Sequence, residues 1–384
     1  MSSSIDQVLR DAVDSGAVPN VSAIAVDRNG IIYEGAAGPR VAGGDEPVSV
    51  DTHYRIMSMT KMAATTVALQ QMEKGTLDLD ALVEDYRPEF ADLQVLEGFD
   101  GDTPRLRKPA SKATVKQLIT HTSGLGYWFW NAELVRWESV TGTPNVLSGS
   151  NVVSTAPLVA DPGTKFEYGL STDWLGKVVE AASGVTLDVA VKEGITGPLG
   201  MDETSFHMSP DQRANAVPVH LKGADGTWAA SEIELSQEPE YWAGGHGLHS
   251  TPRDYLRFHR ALLGGGEHDD VRILQAATVD AAFTNQIGEL DFPPAIATAD
   301  PATTNSFNAG PGHKWGYGLL LNTDDVPGGR RAGSGSWAGL LNTHFWVDRT
   351  AGITASIYTQ FLPFVTPESM TMYQNFEKAL YASL

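Results

Sequence analysis

Ser58 and Lys61 are the residues whose types and spacing best fit catalysis. They form a Ser-x-x-Lys sequence and begin a run to Lys74, closed by Gly75, whose pattern predicts a helix. A serine hydroxyl is a weak nucleophile near neutral pH and needs a base within hydrogen-bond distance. Residues i and i+3 of a helix lie on one face, about 5–6 Å apart at Cβ, so a lysine amine can reach the serine oxygen. The pair therefore predicts a nucleophile together with its base.

The sequence around Lys61 favours this interpretation. Methionine, alanine, valine and leucine occupy positions 57, 59, 62–64 and 67–69. Burial disfavours the charged form of a lysine, so an apolar environment makes it a usable base near neutral pH. A first helical turn also offers unpaired N–H groups and a positive dipole end, which favour an oxyanion at Ser58. The motif alone leaves one alternative open, a helix N-cap serine followed by a surface lysine.

Composition excludes several other kinds of chemistry. The 384-residue chain has no cysteine, which removes thiol catalysis, disulfide bonds and thiolate metal sites. Acidic residues outnumber basic ones by 47 to 27 and the formal net charge is −20, so neither nucleic acid nor an anionic membrane is an expected partner. The one basic cluster, at 105–108, is predicted to be a solvated loop.

Other motifs are absent or out of place. Gly-x-Ser-x-Gly, His-Glu-x-x-His and the P-loop pattern do not occur. Residues 333–338 fit Gly-x-Gly-x-x-Ala, but they precede a predicted strand instead of opening a helix, which argues against a dinucleotide site. His246 and His249 have the spacing of metal ligands without a carboxylate close in sequence. Neither a cofactor nor a metal is expected.

The N-terminal residues predict no secretion signal. Residues 1–16 lack an apolar core and have the pattern of an amphipathic helix. No apolar run approaches the roughly 20 residues of a membrane span. The expected location is the cytoplasm, and the oligomeric state stays open, a homo-oligomer included.

Strand patterns cluster at both ends of the chain and helical patterns in the middle. The segments 21–27 and 31–34, joined through Asn29-Gly30, predict an antiparallel hairpin. Further strands are predicted at 315–321, 341–347 and 353–359. Besides the helices at the N-terminus and at 58–74, helices are predicted at 115–120, 172–182, 252–263 and 367–381.

This order predicts an α/β (α+β) fold with a discontinuous sheet domain. Residues 1–76 and 235–384 would form one antiparallel sheet flanked by helices. Residues 77–234 would form an inserted, mainly helical domain with long loops. The cleft between the two would hold the active site.

Several segments resemble one branch of the serine β-lactamase and penicillin-binding-protein superfamily, namely class C β-lactamases and family VIII carboxylesterases. Ser-x-x-Lys is shared by the superfamily. The segment 117–125 (QLITHTSGL) is similar to the branch's Leu-Leu-x-His-x-Ser-Gly-Leu sequence, and 162–171 (PGTKFEYGLS) to its tyrosine motif. The matching segments run in order from about residue 20 to 365 and include 197–201, 244–251 and 342–348. The resemblance implies a β-lactamase/transpeptidase-like fold.

The resemblance also implies catalytic roles. Ser58 resembles the acylated nucleophile, Lys61 its hydrogen-bond partner and base, and Tyr168 the tyrosine that relays a proton to the leaving group. A phenol can relay the proton if the lysine ammonium lowers the pKa of Tyr168, and the two groups would then titrate as a coupled pair. The backbone N–H groups of Ser58 and Trp337 would form the oxyanion hole.

Two departures from class C β-lactamases concern substrate recognition. Their Tyr-x-Asn motif ends here in Leu170, which has no amide to bind a substrate side chain. Their Lys-Thr-Gly is replaced by Ser334-Gly335-Ser336, which has no cation for a substrate carboxylate. Family VIII esterases lose the same two side chains. Both changes weaken recognition of an anionic β-lactam and leave the acyl-transfer residues in place.

Aromatic side chains are expected to form an apolar, uncharged wall of the substrate pocket. At least one residue of the run 127–130 should face the cleft, since neighbours in sequence point in different directions. The predicted substrate-binding residues are Tyr127, Trp128, Trp130, Leu170, Trp242, Ser334, Gly335, Ser336 and Trp337.

The sequence therefore predicts a serine carboxylesterase that cleaves short-chain, uncharged esters, a small-molecule substrate, through an acyl-enzyme on Ser58. A β-lactamase, a D-amino-acid or linear-amide hydrolase and an acyltransferase share the mechanism and remain alternatives. A non-catalytic penicillin-binding-like protein is the alternative from another class. It is disfavoured because Ser58, Lys61 and Tyr168 are all present.

Overall fold

The computed structural model describes residues 2–384, with side chains from residue 4 onward. Its strands are β1 (Val21–Asp27), β2 (Ile31–Ala37), β3 (Tyr54–Arg55), β4 (Val95–Asp100), β5 (Thr103–Arg107), β6 (His220–Lys222), β7 (Trp228–Ala230), β8 (His249–Ser250), β9 (Glu267–His268), β10 (Val271–Arg272), β11 (Ala295–Ile296), β12 (Phe307–Asn308), β13 (His313–Trp315), β14 (Leu320–Asn322), β15 (Gly335–Gly339), β16 (Thr343–Asp348), β17 (Ile353–Tyr358) and β18 (Phe361–Leu362). A seven-stranded antiparallel sheet, in the order β13-β14-β15-β16-β17-β1-β2, forms the centre of the fold. Strands from both ends of the chain therefore meet in one sheet, as predicted.

Helices cover both faces of this sheet. They are α1 (Ser2–Asp14), α2 (Thr60–Glu73), α3 (Val83–Tyr86), α4 (Val115–Ile119), α5 (Ala132–Thr141), α6 (Ser171–Ser183), α7 (Leu187–Val191), α8 (Pro210–Ala214), α9 (Pro252–Leu263), α10 (Ala276–Ala282) and α11 (Pro367–Ala382). The terminal helices α1 and α11 share a hydrophobic core with sheet residues such as Trp346 and Ile357. On the opposite face, Phe345 of β16 stacks on His259 of α9. The mixed α/β fold with an antiparallel sheet is confirmed.

The helix α2 lies in the middle of the larger core and has no solvated face. Every residue from Thr60 to Gln71 is buried. A helix buried on all sides needs apolar or small residues around its whole circumference, which is what its run of alanine, valine, leucine and methionine provides. The helix begins at Thr60, so the prediction of a helix starting at Ser58 is wrong by one short turn.

The region from residue 77 to 208 contains a β-hairpin that the sequence did not predict. The strands β4 and β5 pair antiparallel, and most of the basic cluster at 105–108 lies on β5 and not in a loop. Arg107 forms ion pairs with Glu97 on the facing strand and with Asp161. These two carboxylates neutralise its charge within the chain.

The predicted strand 315–321 is two strands. The chain reverses between β13 and β14, where the Gly316 amide bonds to the Leu319 carbonyl at 2.8 Å. Trp315 then pairs with Leu320 across the turn. Glycines within the run permit this reversal, and a count of strand-forming side chains does not detect it.

The two predicted domains are connected by backbone pairing. The strand β6 lies in the segment assigned to the helical domain, and it pairs in parallel with β18, which follows the sheet. The division at residues 76 and 234 stays a prediction. Across residues 2–384, no helix has the length and apolar character needed to cross a bilayer.

Candidate active site

Ser58 lies in a turn of 3-10 helix, Met57–Met59, that leads directly into α2. The preceding residue, Met57, has φ of 47°, in the left-handed region that side chains other than glycine rarely adopt. Such backbone strain persists only where the surrounding structure fixes the chain, and it occurs often beside functional residues. The turn fixes the position of Ser58 at the start of a buried helix.

Lys61 is enclosed by polar contacts at the first turn of α2. Its side chain is 1% exposed. Its Nζ lies 3.1 Å from Ser58 Oγ, 3.1 Å from the Tyr127 hydroxyl and 2.8 Å from the Gly245 carbonyl oxygen. Burial lowers the pKa of Lys61 to about 7, although the charge of Asp173 opposes part of this shift. Lys61 can therefore exchange a proton with Ser58 near neutral pH.

Tyr168 is the third predicted catalytic residue, and the structure brings it to the other two. Its ring centroid lies 4.7 Å from Lys61 Nζ, and its hydroxyl accepts a 2.8 Å hydrogen bond from Trp337 Nε1. Burial raises the pKa of Tyr168, and hydrogen bonds with Ser58 and Trp337 offset only part of the rise. The expectation of a lowered tyrosine pKa is therefore wrong, because removal of the phenol from water is the dominant effect. Tyr168 is protonated at neutral pH.

His121 packs behind Tyr168 and carries no charge. The two ring centroids are 4.7 Å apart, and His121 Nδ1 accepts a 3.4 Å hydrogen bond from the Gly169 amide. Burial and the charge of Lys61 hold the pKa of His121 well below its usual value. A neutral imidazole supports the tyrosine without placing a second positive charge beside Lys61.

Tyr127 belongs to a buried polar group and not to an apolar wall. It is 4% exposed, and its hydroxyl lies 3.1 Å from Asp173 Oδ2 as well as 3.1 Å from Lys61 Nζ. Asp173, in the first turn of α6, also lies 3.8 Å from His246 Nδ1, so His246 does have an acidic neighbour. Acidic residues are common in first helical turns because they interact with the helix dipole. The sequence position of Asp173 therefore gave no signal of its link to Lys61.

The N–H group of Trp337 faces the neighbouring strand and not Ser58. The Asn322 amide bonds to the Ser334 carbonyl between β14 and β15, and Trp337 is the register partner of Phe345 on β16. Backbone groups of successive residues face alternate sides of a strand, so the Ser336 N–H, like the Ser334 carbonyl, faces β14 and the Trp337 N–H faces β16. The prediction of the Trp337 amide as an oxyanion donor is therefore corrected. The Trp337 indole instead donates a hydrogen bond to the Tyr168 hydroxyl.

The Leu340 amide is better placed as the second donor. Gly339 accepts a 2.9 Å hydrogen bond from the Asn342 amide inside the turn, so the trans peptide directs the Leu340 N–H to the opposite side. Gly339 packs directly on the turn that holds Ser58, since a Cβ added there would lie 2.3 Å from the Ile56 carbonyl oxygen. The candidate oxyanion donors are the amides of Ser58 and Leu340.

Apolar side chains line the cavity beside the Ser58 turn. A volume of about 280 Å³ is bordered mainly by apolar residues, including Met57, Trp128 and Leu340. The Trp130 ring centroid lies 5.4 Å from that of Tyr168, and its Nε1 has no hydrogen-bond partner among residues 2–384. Trp128 therefore lines this cavity, and Trp130 lies beside Tyr168.

The remaining predicted substrate-binding residues divide into two groups. Leu170 is buried and lines a small cavity together with Tyr127 and Trp128. Gly335 and Ser336 lie on β15, and Ser336 and Trp337 border a second cavity of about 230 Å³. Ser334 is 1% exposed and its hydroxyl donates to the Arg331 carbonyl at 2.7 Å, so it is committed to the loop and not available to a ligand. Trp242 packs on Phe206 in a separate cavity that contains none of the catalytic candidates.

This arrangement can carry out nucleophilic acyl transfer. It contains a serine, a lysine with a pKa near neutrality and a protonated tyrosine, together with two candidate oxyanion donors in the amides of Ser58 and Leu340. In the part of the chain described, no three His, Asp or Glu side chains are grouped to hold a metal ion.

The chain is similar to known proteins over almost its whole length. Monacolin J acid methylbutanoyltransferase from Aspergillus terreus is 32% identical, over 98% of this chain and 95% of its own length. Lovastatin esterase from Penicillium rubens is 32% identical, over 90% of this chain and 89% of its own length. The structure of simvastatin synthase from Aspergillus terreus superimposes with a TM-score of 0.85 at 30% identity, over 99% of this chain and 97% of that one.

The family assignment rests on almost the whole length of the chain. The family model described as Beta-lactamase matches residues 5–376. This confirms the resemblance to the serine β-lactamase and penicillin-binding-protein superfamily. The chain belongs to the Beta-lactamase family and is an enzyme of the β-lactamase-like serine hydrolase and acyltransferase superfamily.

Proposed function

We propose that this protein cleaves uncharged carboxylic esters through an acyl-enzyme on Ser58. Neutral Lys61 takes the Ser58 proton as Oγ attacks the ester carbonyl, and the amides of Ser58 and Leu340 bind the oxyanion. The bond to the alcohol then breaks, Tyr168 gives its proton to the leaving oxygen, and the Lys61 ammonium returns a proton to Tyr168. Water attacks the acyl-Ser58 ester by the reverse sequence of proton transfers and releases the acid.

The observation that carries this proposal is the contact between Ser58 and a buried amine. Lys61 Nζ lies 3.1 Å from Ser58 Oγ, and the pKa of Lys61 is lowered to about 7 by burial. A solvated lysine is fully charged at neutral pH and cannot act as a base. A structural N-cap serine does not require a buried lysine beside it.

The groups around Tyr168 support an uncharged substrate. Leu170 offers no amide, and the Tyr168 hydroxyl accepts a 2.8 Å hydrogen bond from the uncharged indole of Trp337. A carboxylate bound here without a cation would lose its hydration and gain no matching partner, which is unfavourable by a few kcal/mol. Esters are therefore favoured over penicillins and cephalosporins.

A second candidate is transfer of the acyl group to an alcohol in place of water. A protein named as a methylbutanoyltransferase and one named as a lovastatin esterase are equally similar to this chain, each at 32% identity. Both reactions pass through the same acyl-serine, and they differ only in the second nucleophile. The mainly apolar cavity beside Met57 and Trp128 favours an alcohol with a hydrophobic body over a small polar one.

A substrate panel tests these proposals. We expect kcat/KM for p-nitrophenyl butyrate to exceed that for nitrocefin and a penicillin by roughly two to three orders of magnitude. p-Nitrophenyl acetate and decanoate measure the preference for acyl length, for which short chains are expected. Adding alcohols to the assay measures how much of the acyl-enzyme is transferred to the alcohol as an ester and how much is hydrolysed to the acid. A penicillin cleaved as efficiently as the butyrate would contradict the esterase assignment.

Covalent labelling separates these enzymes from a non-catalytic protein. A fluorophosphonate should add to Ser58, detected by mass spectrometry of the peptide, and Ser58→Ala should abolish both label and turnover. An unlabelled, inactive wild type that is folded would contradict the proposal.

A further inference from the structure

Asp173 is a buried carboxylate that contacts Tyr127 and Gly245, the two residues that bond to Lys61 besides Ser58. It is 3% exposed. Its Oδ2 lies 3.1 Å from the Tyr127 hydroxyl, and its Oδ1 accepts a 3.0 Å hydrogen bond from the Gly245 amide. Among residues 2–384, no lysine or arginine forms a direct ion pair with it. The Asp173 carboxylate is therefore connected to the Lys61 amine through the Tyr127 side chain and the backbone of Gly245.

Gly245 has to be a glycine for this arrangement to form. A Cβ at this position would lie 2.5 Å from Asp173 Oδ2 and 2.6 Å from the Tyr127 hydroxyl, both far inside van der Waals contact. The close approach lets the Gly245 amide bond to Asp173 while its carbonyl oxygen accepts from Lys61 Nζ at 2.8 Å. The same residue thus contacts the acid on one side and the amine on the other.

The directions of these hydrogen bonds follow from which atoms carry protons. An ionised carboxylate only accepts, so the Tyr127 proton is directed to Asp173 and the Tyr127 oxygen must accept from Lys61. The Gly245 carbonyl oxygen can also only accept. A neutral amine has two N–H bonds and one lone pair, and these two acceptors use both N–H bonds. The lone pair is left for the third contact, the hydroxyl of Ser58.

We propose that Asp173 is a positioning residue that fixes the directions of the hydrogen bonds around Lys61, so that the lone pair of the neutral amine points at Ser58. The inference rests on the proposed function, because that function gives Lys61 the role of base. It adds a residue that touches neither substrate nor Ser58. Without the carboxylate, the Tyr127 hydroxyl is free to donate to the Lys61 lone pair and to compete with Ser58 for it.

Other titratable groups around this network do not change charge near neutral pH. Burial raises the pKa of Tyr127, Tyr168 and Tyr241, which stay protonated. Burial lowers the pKa of His246 to about 4 and that of His121 well below its usual value, so both stay neutral. Burial lowers the pKa of Lys177, one turn along α6, and the nearby carboxylates oppose part of this shift. The proton exchanged near pH 7 therefore belongs to Lys61.

The test is the pH dependence of kcat/KM for p-nitrophenyl butyrate in Asp173→Asn. The substituted amide keeps the shape of the carboxylate and loses the charge that raises the pKa of Lys61, so the acid limb should move to lower pH by about one unit. The plateau should fall about 10- to 100-fold, because the lone pair of the base is no longer directed. Asp254→Asn is the matched control, a buried aspartate of α9 that bonds to Thr204 and the Glu203 amide, and its acid limb should not move.

A double-mutant cycle with Tyr127→Phe tests whether the two residues act as one unit. If Asp173 acts through Tyr127, the double variant should lose little more activity than the more damaged single variant. The inference would be overturned if folded Asp173→Asn had the acid limb and plateau of wild type. It would also be overturned if the activity loss of the double variant equalled the product of the losses of the two single variants.

The outcomes also separate this inference from the proposed function. An inactive, unlabelled wild type contradicts the function, whereas an active wild type with an unaltered Asp173→Asn variant contradicts only the role of Asp173. If Asp173→Asn does not fold, Tyr127→Phe carries the test alone. Its acid limb should also move to lower pH, because Lys61 loses an acceptor for its charged form, and an unmoved limb would overturn the inference.

Discussion

Two buried cations in this protein are held in opposite ways. Arg330 donates from Nε and Nη2 to the two carboxylate oxygens of Glu377, at 2.8 and 2.7 Å, and also contacts the Tyr373 hydroxyl. Lys61 is equally buried but touches only neutral oxygens, and its nearest acid, Asp173, lies beyond Tyr127 and Gly245. Direct ion pairing distinguishes the two environments.

The difference decides which cation can lose a proton. Although burial alone would lower the pKa of Arg330, its interactions with the Tyr373 hydroxyl and the Glu377 carboxylate raise it overall, so this group is permanently charged. Lys61 has no such contact, and its pKa falls to about 7. A buried cation with a direct counter-ion stabilises the fold, whereas one whose counter-ion lies one contact away remains available for proton transfer.

Removal of Lys61 should have the largest effect on activity. Lys61→Ala should lower kcat on p-nitrophenyl butyrate by about three to four orders of magnitude, because general-base catalysis supplies this much and the catalytic residues act together. Lys177→Ala is the matched control, a partly buried lysine that bonds to Asn151 outside the site, and should stay within a few-fold of wild type. Retention of more than about a tenth of wild-type kcat by Lys61→Ala would refute the role of the lysine as base.

Removal of Arg330 should affect the stability of the fold and not the catalysed reaction. Arg330→Met leaves Glu377 buried and unpaired, so the free energy of unfolding should fall by about 3–5 kcal/mol in urea titrations. The neighbouring Arg331→Met, at a side chain 52% exposed, should change it by less than about 0.5 kcal/mol. Lys61→Met should leave the unfolding free energy unchanged or raise it. A large destabilisation by Lys61→Met would remove the contrast between the two cations.

Activity should rise from acid to mildly alkaline pH. Lys61 must be neutral to accept the Ser58 proton, and its pKa is about 7, so kcat/KM should increase about tenfold per pH unit below that value and level off above it. Stability should rise over the range from about 7 to the ordinary lysine value of 10.5, because only the unfolded chain binds the proton there. A flat activity profile from about pH 5 to 9, with chemistry rate-limiting, would contradict the assignment of the base.

The indole of Trp337 should have the smallest of these effects. Trp337→Phe removes the 2.8 Å hydrogen bond to the Tyr168 hydroxyl and keeps most of the aromatic packing. The loss of one such bond to a proton-transfer group should lower kcat about tenfold. Trp137→Phe is the matched control, because the Trp137 Nε1 is buried without a partner in the described chain. Equal effects of the two changes would show that the hydrogen bond to Tyr168 is unimportant.

The parts of this structure that depend on neighbouring residues could be predicted from the sequence. The β1–β2 hairpin follows from an Asn-Gly turn between two strand patterns, and the Ser58–Lys61 contact follows from helical spacing. The burial of Lys61 could also be inferred, since apolar residues surround it in sequence. The resemblance of the segment 162–171 to a known tyrosine motif located Tyr168.

The parts that depend on distant residues could not be predicted. Asp173 and Gly245 meet only because α6 and the loop before β8 pack on α2, and neither residue type is unusual for its local position. The direction of the Trp337 N–H depends on the register of β15, which is set by pairing with two other strands. The positive φ of Met57 and the turn of 3-10 helix before Thr60 are not indicated by the residue types at 57–59.

The pKa of Lys61 is the quantity on which this account depends most directly. Protein labelled with ¹³C-lysine can be titrated by ¹H–¹³C NMR, with the Lys61 signal assigned by its absence in Lys61→Ala. We predict a midpoint near the pKa of about 7 that burial gives this group, well separated from the surface lysines. A midpoint at the ordinary lysine value of 10.5 in the folded protein would contradict the assignment of Lys61 as the base.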